Sequence, residues 1–130
     1  MTRARFLTST VGFPLLAQPT PTSMVFVGFP LHRSMNLLGN NETTMLEKQE
    51  SDEYVCMITR KNGKHYWSSR DRQELIKNIS GDFVIFTALD GRGYVKIAPT
   101  MKELALNYME HLHDKLFTIT YWGKISVYRA

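Results

Sequence analysis

At 130 residues, 43% of them hydrophobic, the chain suits one compact domain with a sizeable core and is too short for two. Sixteen basic residues against 12 acidic ones leave a formal charge of +4, and no Lys/Arg run exceeds two, so the balance permits an anionic partner without marking a dedicated polycation. Cys56 is the only cysteine, which excludes an intramolecular disulfide and a cysteine-rich zinc cage, and no apolar run approaches the ~20 residues of a membrane-spanning helix. The expectation is a soluble, intracellular, cytoplasmic protein with no membrane partner.

Residues 1–41 contain no Asp or Glu, carry Arg3, Arg5 and Arg33, and are interrupted by Pro14, Pro19, Pro21 and Pro30. Three readings account for this. One is a transit peptide for a mitochondrion or other organelle, and another is a secretory signal with a poor apolar segment broken at Pro14. The third is an upstream extension of a protein that starts at Met24, Met35 or Met45. The polar stretch 39–53 follows as a linker. Residues 1–53 are therefore expected to lie outside the fold as a disordered leader, with a single domain over 54–130.

Within that domain, Tyr54 to Arg60, the dipeptide Asn62-Gly63 and His65 to Ser69 read as a hairpin, because Asn-Gly supplies the positive φ angles of a two-residue turn. This turn pairs Arg60 with His65 and Ile58 with Trp67, and sets Tyr54, Cys56, Ile58 and Trp67 on one face. Ser68 or Ser69 is placed to cap a helix reaching Ile79, with Leu75, Ile76 and Ile79 at helical spacing and Gly81 as its stop. Phe83 to Phe86 is an unbroken apolar run and leads through Asp90-Gly91 into Tyr94 to Ile97, where Val95 and Ile97 share a face. Pro99 and a Thr100/Glu103 capping box then predict a second helix over 101–116, with Met101, Leu104, Ala105, Tyr108, Met109, Leu112 and Leu116 as its apolar stripe. Phe117 to Tyr128 is either a hairpin turning at Gly123-Lys124 or one strand with a glycine bulge.

The expected fold is therefore α+β: an antiparallel sheet of five or six strands with two helices on one face, in the order ββαββαβ(β). Superposing Asn62-Gly63 on Asp90-Gly91 aligns Ile58 with Phe86, Lys64 with Arg92 and Tyr66 with Tyr94, which is consistent with an internal ββα duplication. Convergence of two glycine-turn hairpins explains the same likeness.

Chemistry is sparse. In a helix, His111 and His113 lie about 200° apart around the axis, so Glu110, His111, His113 and Asp114 do not close a metal site, and neither a metal nor a cofactor is expected. His65 with Ser68, Ser69 and Asp71 supplies the residue types of a hydrolase, but no nucleophile elbow, phosphate loop or paired Cys/His motif accompanies them, so no catalytic residue is assigned. Cys56 in YVCMI reads as a small buried hydrophobe. The hairpins interleave cations with rings at Lys64, His65, Tyr66, Trp67, Arg92, Tyr94, Lys96, Trp122 and Lys124. A sheet face carrying both suits a protein partner docking on aromatic anchors, or RNA or single-stranded DNA held by charge and stacking. The leading expectation is a small non-enzymatic binding module for a protein partner. Nucleic-acid binding is the first alternative and a His65 hydrolase the second, and an open aromatic face also allows a homodimer.

Overall fold

The computed structural model describes residues 23–99 and 106–129. Its elements are β1 (Ser23–Leu37), β2 (Asn40–Met45), the short helix α1 (Lys48–Glu53), β3 (Cys56–Lys61), β4 (Lys64–Trp67), β5 (Gln73–Ser80), β6 (Phe83–Ala88), β7 (Gly93–Pro99), β8 (Leu106–His113) and β9 (Phe117–Arg129). Strands β3 to β9 pair with their sequence neighbours, all antiparallel. Strand β9 then pairs with β1, and β1 with β3, so eight strands close into an up-and-down barrel.

The expected α+β fold with two helices is thus overturned. The first expected helix is a turn followed by β5. Asp71 and Arg72 take φ angles of 59° and 56°, which a right-handed helix forbids. Leu75 is buried, whereas Ile76 and Ile79 are exposed and fall on opposite faces of β5, so their spacing imitates a helical stripe without forming one. The second expected helix fails for a different reason. Its capping box at Thr100 and Glu103 lies outside the described residues, but Leu106–His113 is a strand whose inward positions include Tyr108 and Glu110. A carboxylate on the inner face hides the period of two that would have marked the strand. With both helices gone, the ββα duplication reduces to two hairpins each followed by another strand.

Local turn chemistry fared better. The Asn62-Gly63 hairpin pairs Arg60 with His65 and Ile58 with Trp67, as expected. Strands β6 and β7 form the second hairpin, with Val95 and Ile97 buried. The last segment is one strand, β9, with a register slip at Trp122/Gly123.

Strands β1 and β2 and helix α1 all precede Tyr54, where composition puts the start of the fold. β1 runs the length of the barrel. Its first half, Ser23–Gly28, pairs with β3, and its second half, from His32, pairs with β2, while β9 flanks it throughout. Where the partner changes, Leu31 is the extra residue of a bulge, and its carbonyl accepts a hydrogen bond from the Leu46 N–H at 2.8 Å. Pro30, with no N–H to offer a ladder, occupies this break and is fully buried. The barrel core comprises Cys56, Ile58, Trp67, Leu75, Phe86, Ala88, Val95, Ile97, Tyr108 and Ile125, with Phe26, Val84, Leu106 and Leu112 packed against it.

Candidate functional site

Two regions carry chemistry: a polar cluster inside the barrel and the outer wall across β7, β8, β9 and β1. Inside, Glu110 is completely buried on β8. The Trp67 indole donates to its Oε2 at 2.8 Å, and the Arg70 guanidinium from the β4–β5 turn donates to both carboxylate oxygens at 3.1 Å. A forked guanidinium with an indole N–H supplies the charge and donors that a buried carboxylate requires. The array continues outward as stacked rings and cations. Arg70 lies 5.7 Å from the Tyr121 ring centre, Tyr121 stacks on Tyr54 at 5.6 Å, and Arg33 covers Tyr54 at 5.3 Å. Two polar atoms here, the Tyr108 hydroxyl and Arg33 Nε, are buried without a hydrogen-bond partner among the described residues.

Burial, reinforced by Glu110, pushes the Cys56 thiol well above its ordinary pKa, and burial does the same to the Tyr108 and Tyr121 phenols. None of these groups is a ready nucleophile. His65 fares no better as a base, because its ring packs 4.9 Å from Phe86 and 6.4 Å from Phe26. Burial, with Lys77 and Arg60 adding to it, lowers its pKa. The hydroxyls of its proposed partners are used elsewhere: Ser68 bonds to the Thr59 hydroxyl, and Ser69 Oγ accepts from the Met57 N–H at 2.9 Å. The constellation of His65, Ser68, Ser69 and Asp71 is not assembled.

On the outer wall, cross-strand register decides which side chains meet. Lys96 pairs with Met109, Met109 with Trp122, Trp122 with His32 and His32 with Met45, so these five form one row across β7, β8, β9, β1 and β2. A neighbouring row runs Tyr94, His111, Thr120, Ser34 and Thr43. On the other side of Trp122, Lys124 pairs with Phe29. Phe29, Leu31 and Trp122 are exposed, and Met45 is 73% exposed, so four large apolar side chains lie on three neighbouring strands of this surface. Between β1 and α1 the surface dips into an apolar groove of about 470 Å³ lined by Phe29, Leu31, Leu46, Lys48, Ser51 and Asp52. Outward positions of β6, β7, β8, β9 and β1 include no carboxylate, since Glu110 is the sole acid among these strands and points inward.

Of the nine residues singled out in the sequence, Tyr94, Lys96, Trp122 and Lys124 share this outer wall. Trp67 and His65 are inside the barrel, and Lys64 and Tyr66 belong to the β3–β4 hairpin. Arg92 caps the β6–β7 turn through a 2.7 Å bond from its Nε to Asp90. Lys96 also covers the Phe83 ring at 4.9 Å. Sequence reasoning missed Phe29, Leu31 and Met45 because they fall in the segment read as a leader. The signal available was the run Met24-Val25-Phe26-Val27, whose β-branched and aromatic residues favour a strand. It also missed Glu110, which no local pattern distinguishes. Among the described residues no helix is long and apolar enough to cross a membrane. No family model matches this chain, and neither the curated proteins nor the solved structures contain a significantly similar one.

Proposed function

We propose that the protein is a non-enzymatic docking module that binds a protein partner through the outer face of β9 and β1 and the groove against α1. The observation that carries this reading is the apolar groove lined by the exposed Phe29 and Leu31, with exposed Trp122 and Met45 on the strands that flank β1. Large apolar groups clustered on a surface cost solubility and are characteristic of contact sites, where a tryptophan commonly anchors the interface. Lys96 on this wall, whose outward strand positions from β6 round to β1 carry no carboxylate among the described residues, favours a partner segment that combines apolar anchors with acidic flanks. The lysines are too few for a polyanion to be the first choice, since nucleic-acid grooves track phosphates with many cations.

The test compares affinity capture from native cells by the full chain and by Trp122→Ala and Leu31→Ser, with Ile76→Ser on the outer face of β5 as control. A defined protein whose recovery falls about 30-fold with Trp122→Ala, the loss of a ~2 kcal/mol anchor, and is unchanged in the control is the expected result. Equal recovery by all four proteins would refute the assignment. Salt-sensitive binding of oligonucleotides lost on Lys96→Ala and Lys124→Ala would transfer the wall to nucleic acid.

A further inference from the structure

The strand geometry of β8 reverses the argument that separates His111 from His113. In a helix the two imidazoles point to opposite flanks, whereas residues two apart on a strand share a face. Their ring centres are 5.9 Å apart. Two imidazoles bound to one ion through nitrogens at about 2.1 Å place their ring centres roughly 5 to 6.5 Å apart, depending on the angle at the metal. The pair therefore has chelating separation without any movement of the backbone.

Neighbours on the adjacent strands orient the first of these ligands. His111 Nδ1 is 2.9 Å from the Thr120 hydroxyl of β9, and the Tyr94 ring of β7 stacks on its face at 5.1 Å. A hydrogen bond at one ring nitrogen commits the other to the ligand, which is how metal-binding imidazoles are ordinarily fixed. His113 is exposed and can adjust to meet the ion.

We propose that His111 and His113 form a surface chelate for a borderline divalent transition ion. Imidazole nitrogens select copper, nickel and zinc over the oxygen-seeking calcium and magnesium, and copper(II) heads the affinity order. Among the described residues no group of three or more His, Cys, Asp or Glu gathers to close a shell, so water completes the coordination and the ion exchanges freely. The inference uses none of the residues that line the apolar groove and stands independently of the docking assignment.

The experiment titrates the full chain with copper(II), nickel(II), zinc and magnesium salts while recording amide spectra. The expected result is one saturable site, tightest for copper and absent for magnesium, with copper-induced broadening centred on Tyr94, His111, His113 and Thr120. His113→Ala, on an exposed side chain that the fold does not need, abolishes it, and His111→Ala does the same. Thr120→Val weakens it by about 10-fold through loss of the orienting bond. His32→Ala leaves it unchanged. Broadening centred on His32 or elsewhere, or copper affinity retained in His113→Ala, would overturn the proposal.

Discussion

At the scale of the residue, Glu110 is the fully buried charge that the barrel interior has to accommodate. A carboxylate at 0% exposure is tolerated because three donors meet it, two from Arg70 and one from Trp67. The pair is asymmetric, since the Arg70 side chain is 28% exposed and could turn to water, whereas Glu110 has no such exit. Removing the guanidinium therefore strands a buried charge, and Arg70→Ala is expected to cost about 3 kcal/mol in urea unfolding, with Arg70→Lys recovering only part because one ammonium cannot replace the fork. A loss below about 1 kcal/mol would mean that the carboxylate is not held by this pair. The same residue explains why β8 was illegible in the sequence. Leu106, Tyr108 and Leu112 mark the inner face at every second position, but Glu110 interrupts them, and Met109 on the outer face completes a convincing helical stripe. Only the distant Arg70 and Trp67 make an inward glutamate reasonable, and no local window contains them.

At the scale of the element, what the chain declared locally survived. Asn62-Gly63 fixes its hairpin register by turn geometry alone, with Gly63 at φ 80° and Asn62 at φ 53°, so the Ile58–Trp67 pairing could be read directly. β1 could not. Its lack of acids and its Pro30 are also the marks of a targeting segment, and its role depends on β9, which lies almost the whole chain away. Pro30 becomes intelligible only at the bulge where β1 exchanges β3 for β2. The bulge also imposes a requirement on the facing strand. A Cβ at Gly123 would fall 2.0 Å from the Phe29 carbonyl oxygen and 2.8 Å from Pro30 Cα, backbone atoms that cannot swing aside. Gly123→Ala should therefore destabilise the fold by about 2 kcal/mol or more through overpacking at the seam. A change within about 0.5 kcal/mol in the same unfolding assay would place the two strands farther apart than described.

At the scale of the whole molecule, closure of the barrel organises everything proposed for its surface. An open sheet with helices on one face would have left its other face as a flat platform for the outward-pointing members of the aromatic and basic set. Closure instead brings β1 beside β9, which creates the Trp122–His32 and Lys124–Phe29 pairs, while alternation along β4 keeps His65 and Trp67 inside. Charge is segregated by the same event. Glu47, Glu50, Asp52 and Glu53 gather at α1, and Asp71, Asp90 and Asp114 sit in the turns, while the outward strand positions from β6 round to β1 carry none. The residue types of the proposed docking wall were thus partly legible, but their assembly into one wall depended on a long-range strand pairing that composition obscured. That pairing is tested most directly by cross-strand nuclear Overhauser contacts in the isotopically labelled full chain. The expected result is backbone contacts in the register Tyr121 to Arg33 and Ile125 to Gly28, on either side of the slip. Strand-like contacts confined to residues after Tyr54, with Met24 to Leu37 giving unstructured signals, would contradict the barrel and remove the wall on which the proposed docking depends.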